Sequence, residues 1–183
     1  MRVRIDPFVD ERGLFARTFC QREFAVHGIP PEFVQASVSY NSHRGTLRGL
    51  HFQWPPSAEG KLVRCVRGSV YDVLVDLRPK SGSYLDHEAV GLDERGRDAV
   101  FIPPGVAHGF VTLEDATEVL YQMSDYYAPE LSAGVAWNDA AFGIEWPLVP
   151  AVISDKDASY PSFDGARHEA ELARRGGAWA ARG

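Results

Sequence analysis

The amino-acid sequence predicts an all-β domain, an antiparallel sandwich of the jelly-roll type. Three observations carry that reading: short apolar stretches with a period of two recur from Leu14 to Ile153, Gly/Pro turns separate them, and helical periodicity is almost absent. The 183 residues show no internal repeat and no linker, so a single domain is expected over residues 1–183, with 162–183 as a C-terminal tail or short helix.

Asp10-Glu11-Arg12-Gly13 is a turn signal, and Leu14 to Phe19 alternates as a strand. A short helix is expected around Arg22 to Val26, ending at Gly28, because Pro30 and Pro31 forbid continuation. Period two resumes from Phe33 to Ser39. Lys61 to Val66, a turn at Gly68, and Val70 to Leu77 read as two strands in tight connection. Pro79 to Gly82 is a loop, Glu88 to Leu92 a short strand, and Arg95-Gly96-Arg97 a polar turn. After Ala99 to Ile102, Pro103-Pro104-Gly105 makes a rigid turn that delivers His108 at the start of the next strand. Glu118 to Ser124 places Val119, Tyr121 and Met123 on one face. Beyond Pro129 the strands fade, and Ile153 to Asp157 closes the patterned region. His168 to Arg175 is rich in Ala, Glu and Arg, as a short helix would be.

The densest chemistry lies in Gly45-Thr46-Leu47-Arg48-Gly49-Leu50-His51-Phe52-Gln53. In a regular strand His51 and Gln53 share one face and Leu50 and Phe52 the other. Arg48 then falls with Leu50 unless Gly49 bends the strand, which glycine permits. A lone strand histidine is commonly a hydrogen-bonded core residue, but a guanidinium and an imidazole this close exceed what packing needs.

Composition excludes several function classes. A hydrophobic share of 45% supports a globular core. The net charge of −6, with no Lys/Arg-dense run, argues against a nucleic-acid-binding protein. No apolar run approaches the roughly 20 residues a bilayer requires, and the charged start MRVRIDPFVDERG is no signal peptide, so a soluble cytoplasmic protein is expected. Cys20 and Cys65 are far apart and outside metal spacing, as for reduced thiols.

Pro103, Gly105 and His108 form a Pro-x-Gly-x-x-His signature that resembles the second motif of cupins, with His51 where the first would begin. Metal-binding cupins carry His-x-His there, whereas this chain has His51-Phe52-Gln53 and lacks the later Asn. Two histidines and an amide make a poor metal site, so no metal is expected. Asp10 to Gly13, Arg48 to Gln53, Lys61 to Cys65, Ile102 to Gly105, Ala107 to Phe110, Val119 to Tyr121, Tyr126 to Pro129 and Ser154 to Asp157 together resemble the dTDP-4-dehydrorhamnose 3,5-epimerase family, in order, over nearly the whole chain.

That resemblance implies a cupin jelly roll and a homodimer exchanging an N-terminal strand. It further implies no cofactor, and a nucleoside-diphosphate 4-keto-6-deoxyhexose as substrate. A ketone at C4 acidifies the C3 and C5 hydrogens, because the carbanion is delocalised as an enolate. Inversion then needs a base on one face of the ring and an acid on the other. By resemblance His51 is the base, Asp157 orients and stabilises its ring, Tyr121 returns the proton, and Lys61 steadies the enolate. Arg12, Arg48, His108 and Lys156 match ligand contacts, with Phe15 as a stacking surface and Gln35 as a polar contact.

Some family positions differ. Arg17 and Ser132 stand where the family has Glu, Gln35-Ala36-Ser37 replaces Gln-x-Asn, and one extra residue lies between Gln35 and Gly45. These are ligand-facing positions, so a C3-only epimerase or a ketoisomerase on a related nucleotide sugar stays open as an alternative, with a metal-dependent cupin behind it.

Overall fold

The computed structural model describes residues 1–30 and 32–179; Pro31 of the expected helix stop and residues 180–183 of the expected tail lie outside the described residues. Among the described residues the strands form two facing antiparallel sheets of the jelly-roll kind. The first has the order β1 (Arg2–Val3), β9 (Ala99–Ile102), β6 (Lys61–Arg67), β11 (Thr117–Met123), β4 (Gln35–Asn41). The second has the order β12 (Ser132–Gly134), β5 (Thr46–Gln53), β10 (Val106–Thr112), β7 (Ser69–Asp76), β8 (His87–Asp93). β13 (Val152–Ile153) joins β5 in parallel, on Thr46 and Leu47.

Alternation along each strand sorts the side chains. Val63, Cys65, Val100, Ile102 and Val119 of the first sheet pack against Val70, Leu74, Val106 and Phe110 of the second, and Tyr121 lies against this inner core. Leu62 and Phe101 point the other way, where α1 (Gln21–Val26) covers them with Phe24. The outer face of the second sheet carries Leu50, Phe52, Val73 and Val75 beneath aromatic side chains from the C-terminal third, including Phe142, Phe163 and Trp179.

The element order follows the sequence reading with corrections: β10 begins at Val106, two residues before His108, and β1 and β2 (Phe8–Asp10) lie in a segment where no strand is expected, short pieces that pairing alone defines. Three more concern longer stretches. The first is the strand expected over Leu14 to Phe19. It is shorter: β2 and β3 (Gly13–Phe15) close a separate hairpin. Phe19 leaves the extended path to pack edge-on against Phe24 and Phe33, at 5.0 and 5.3 Å between ring centroids. The second is in the C-terminal third, which contains β12 and β13 where no strand is expected; pairing to β5 defines them, and pieces this short show no period. The third is at Asp155–Ala158, where the end of the patterned region folds as α2. The tail forms α3 (Gly165–Arg174), and Cys20 and Cys65 are free thiols.

Candidate active site

β5 is the keel of the site. Opposite β10, His108 faces His51 and Phe110 faces Arg48, so Gly49 and Leu50 together oppose Gly109 alone. Two residues against one is a β-bulge, and it resets the alternation. Arg48 is thereby turned to the same side as His51, the outcome that a bend at Gly49 allows. Glycine is required here: φ is +133°, and a Cβ would stand 2.4 Å from the Gly109 Cα.

The other edge of β5 is shared end to end. β13 pairs with Thr46 and Leu47, β12 with His51 to Gln53, and the Gly49 amide lies in the gap. Asp157 fills it. The chain leaves β13 through Ser154, whose hydroxyl caps α2 by accepting from the Asp157 amide at 3.1 Å. That short helix turns the Asp157 carboxylate back onto β5, where Oδ2 accepts from the Gly49 amide at 3.2 Å and Oδ1 bonds His51 Nε2 at 2.7 Å. Burial alone would raise this carboxyl. The bonds from His51, Gly49 and Ser154 prevail and hold it below its ordinary value. An ionised carboxylate only accepts, so Nε2 bears the proton and Nδ1 is the free basic nitrogen.

The first sheet supplies the facing wall. Lys61 and Tyr121 sit at inward positions of β6 and β11, and with Arg48, His51, His108, Ser37, Ser39, Val38 and Tyr127 they line a cavity of about 480 Å³. Burial raises the Tyr121 phenol well above its ordinary value, Asp72 adds to the rise, and Arg48 opposes it. Tyr121 therefore holds its proton firmly. The Lys61 ammonium is paired with the buried Glu59 carboxylate. His108 Nε2 bonds Asp72 Oδ2 at 2.8 Å deep in the sandwich, and the Tyr121 ring stands edge-on to His108 at 5.9 Å. Burial raises the Asp72 carboxyl, against the pull of His108. Arg48 is braced by its Nε donating to Asn41 Oδ1 at 2.8 Å.

Of the residues expected from sequence, the structure brings together His51, Asp157, Tyr121, Lys61, Arg48 and His108. It does not bring Arg12 and Phe15 to them. Arg12 is at the tip of the β2–β3 hairpin, paired with Asp10, and Phe15 is 79% exposed. Gln35 turns its Oε1 to the Tyr127 amide at 2.8 Å, and Lys156 is on the exposed face of α2. Arg17 pairs with Glu23 at the surface, and Ser132 is a β12 residue opposite Gln53. Gln53 does not join His51 in the cavity: it is buried, accepting from the Ala128 amide. Glu59, Asp72, Asn41 and Tyr160 were not expected. Asp72 and Tyr160 meet His108 and His51 from far along the chain, and Asn41 meets Arg48 only once β4 and β5 have folded, so only Glu59, two residues before Lys61, is within reach of local reading. Among the described residues no group of three or more His, Cys, Asp or Glu is placed to hold a metal ion.

An imidazole on one sheet and a phenol on the other, each buttressed and both opening on one cavity, can exchange protons with two sides of a ligand lying between them. Residues 1–165 match the family model described as dTDP-4-dehydrorhamnose 3,5-epimerase. The chain belongs to this epimerase family. It is thus an isomerase, and its double sheet is the family's cupin jelly roll. A dTDP-4-dehydrorhamnose 3,5-epimerase of Methanothermobacter thermautotrophicus is 44% identical over 161 residues, covering 85% of this chain and 86% of the relative. The crystal structure of a dTDP-6-deoxy-D-glucose-3,5-epimerase from Legionella pneumophila, in complex with dTDP-4-keto-L-rhamnose, superposes with a TM-score of 0.84 at 36% identity, over 93% of this chain and 90% of that one. A 3'-monoepimerase from Streptomyces bikiniensis, in complex with dTDP-quinovose, reaches the same TM-score at 31% identity, over 93% and 86%. No helix among the described residues is long and apolar enough to cross a membrane.

Proposed function

We propose that this epimerase inverts C3 and C5 of a nucleoside-diphosphate 4-keto-6-deoxyhexose of the dTDP-4-dehydro-6-deoxyglucose type, as a soluble cytoplasmic enzyme. One observation carries the reading: His51 and Tyr121 enter a single cavity from opposite sheets. His51 Nδ1 takes the proton beside the ketone, and Asp157 holds the resulting imidazolium in place. Lys61, on the same wall as Tyr121, is the cation that meets the charge gathering on the C4 oxygen, and Tyr121 delivers a proton to the opposite side of the carbanion. Arg48 and His108 contact the ligand from the cavity wall.

Arg12 and Phe15, which are far from this cavity in their own chain, reach the cavity of a second copy in a homodimer, with Lys156 and Gln35 at its margin. Their exposure on a hairpin that packs into neither sheet supports this. No organic cofactor takes part in the scheme. Inversion at one centre is the second reading, favoured by the monoepimerase that shares the fold.

The test is solvent deuterium uptake into dTDP-4-dehydro-6-deoxyglucose. Label at both C3 and C5 is expected, with product of inverted configuration, and His51→Asn should reduce uptake at both positions by about 10²- to 10⁴-fold. Label at C3 alone establishes the second reading. No label at either position overturns the assignment.

A further inference from the structure

Tyr160 does not line the cavity, yet it is packed against the imidazole proposed as the base. Its ring is edge-on to that of His51, with centroids 6.2 Å apart and an interplanar angle of 69°. Room for it is made by Gly134, the β12 residue directly opposite His51 across the strand pair. A Cβ on Gly134 would stand 2.3 and 2.4 Å from Cζ and Cε2 of Tyr160, so any other residue there would evict the ring. Glycine opposite the base and tyrosine beside it are two halves of one packing arrangement.

The hydroxyl of Tyr160 is buried without a hydrogen-bond partner. Burial raises its pKa, against the pull of the nearby Lys156 ammonium. It is the ring of Tyr160, not its hydroxyl, that meets His51. That ring covers a pair that needs cover: the His51 side chain is 39% exposed, although Asp157 behind it is 6% exposed.

We propose that Tyr160 is a positioning residue for His51. Its ring fixes the plane of the imidazole, so that Nε2 stays on Asp157 and Nδ1 stays turned to the substrate. The inference rests on the reading of His51 as base, but it is testable without turnover. With histidine ¹⁵N-labelled, the His51 Nε2–H proton bonded to Asp157 reports the geometry through its exchange with water. Tyr160→Ala should speed that exchange at least about tenfold, whereas Tyr160→Phe, which keeps the ring, should hold it within about twofold. With substrate, Tyr160→Ala should lower kcat for deuterium uptake about tenfold and leave KM within about twofold, and Tyr160→Phe should restore kcat. If Tyr160→Ala does not fold, Tyr160→Leu takes its place, with the same exchange criterion. Unchanged Nε2–H exchange in the ring-less variants overturns the proposal. So does equal loss in Tyr160→Phe and Tyr160→Ala, which would assign the role to the hydroxyl. A wild-type protein that takes up no deuterium would sink the epimerase reading and leave the exchange measurement to judge Tyr160.

Discussion

At the scale of single residues, division of labour follows from which protonation state each environment favours. Burial keeps the Tyr121 phenol protonated, while the Asp157 carboxylate occupies His51 Nε2 and leaves Nδ1 as the ring nitrogen free to meet a ligand. Tyr121→Phe should therefore leave proton removal by His51 in place and lose delivery from across the ring. Deuterium uptake should fall less than net epimerisation, and comparing label content with product configuration by NMR would check this; equal losses would take the donor role from Tyr121. Asp157 carries a stability signature as well. Its carboxyl is lower in the folded chain than its ordinary value, so its contribution is present in full above about pH 4 and is lost as pH falls through the folded value. In a series of thermal melts, Asp157→Asn should flatten that part of the acid limb and lower Tm at neutral pH.

At the scale of elements, the bulge in β5 decides which side chains meet. Gly49→Ala would set a Cβ against Gly109 and force a left-handed φ on alanine. The expected cost is about 1–3 kcal/mol or more, read from the urea midpoint, together with weaker nucleotide binding as Arg48 and His51 part. This element also marks the limit of sequence reading. Apolar runs and Gly/Pro turns suffice to locate β6, β7, β10 and β11, because each spans seven or eight residues. They leave open whether Arg48 and His51 share a side, since Gly49 permits a bend without requiring one, and only the register shift between β5 and β10 decides it. What stays hidden is anything held by pairing alone. β12 and β13 span three and two residues, and they exist because β5 offers them an edge. The same holds for the polar partners: neither Asn41 beside Arg48 nor Asp72 beside His108 follows from local pattern, since each contact is made by folding.

At the scale of the whole molecule, the open question is where the hairpin goes. Phe8, Val9, Leu14 and Phe15 expose a run of apolar side chains unusual for a surface that meets only water. Light scattering on a size-exclusion column should give twice the chain mass, and Phe15→Ala with Arg12→Ala should weaken nucleotide binding while His51 and Tyr121 are untouched; a monomer with full affinity would refute the shared site. The interior can be probed independently. Phe110 is fully buried between the sheets, and Phe110→Ala should cost about 3–5 kcal/mol in denaturant unfolding. A second consequence reaches the chemistry. Because the proposed acid and base are anchored on separate sheets, the filling between those sheets acts as a spacer for a pair of jaws. Thinning it would narrow their gape around a sugar ring, so a change that touches no ligand atom could alter which carbon is turned over.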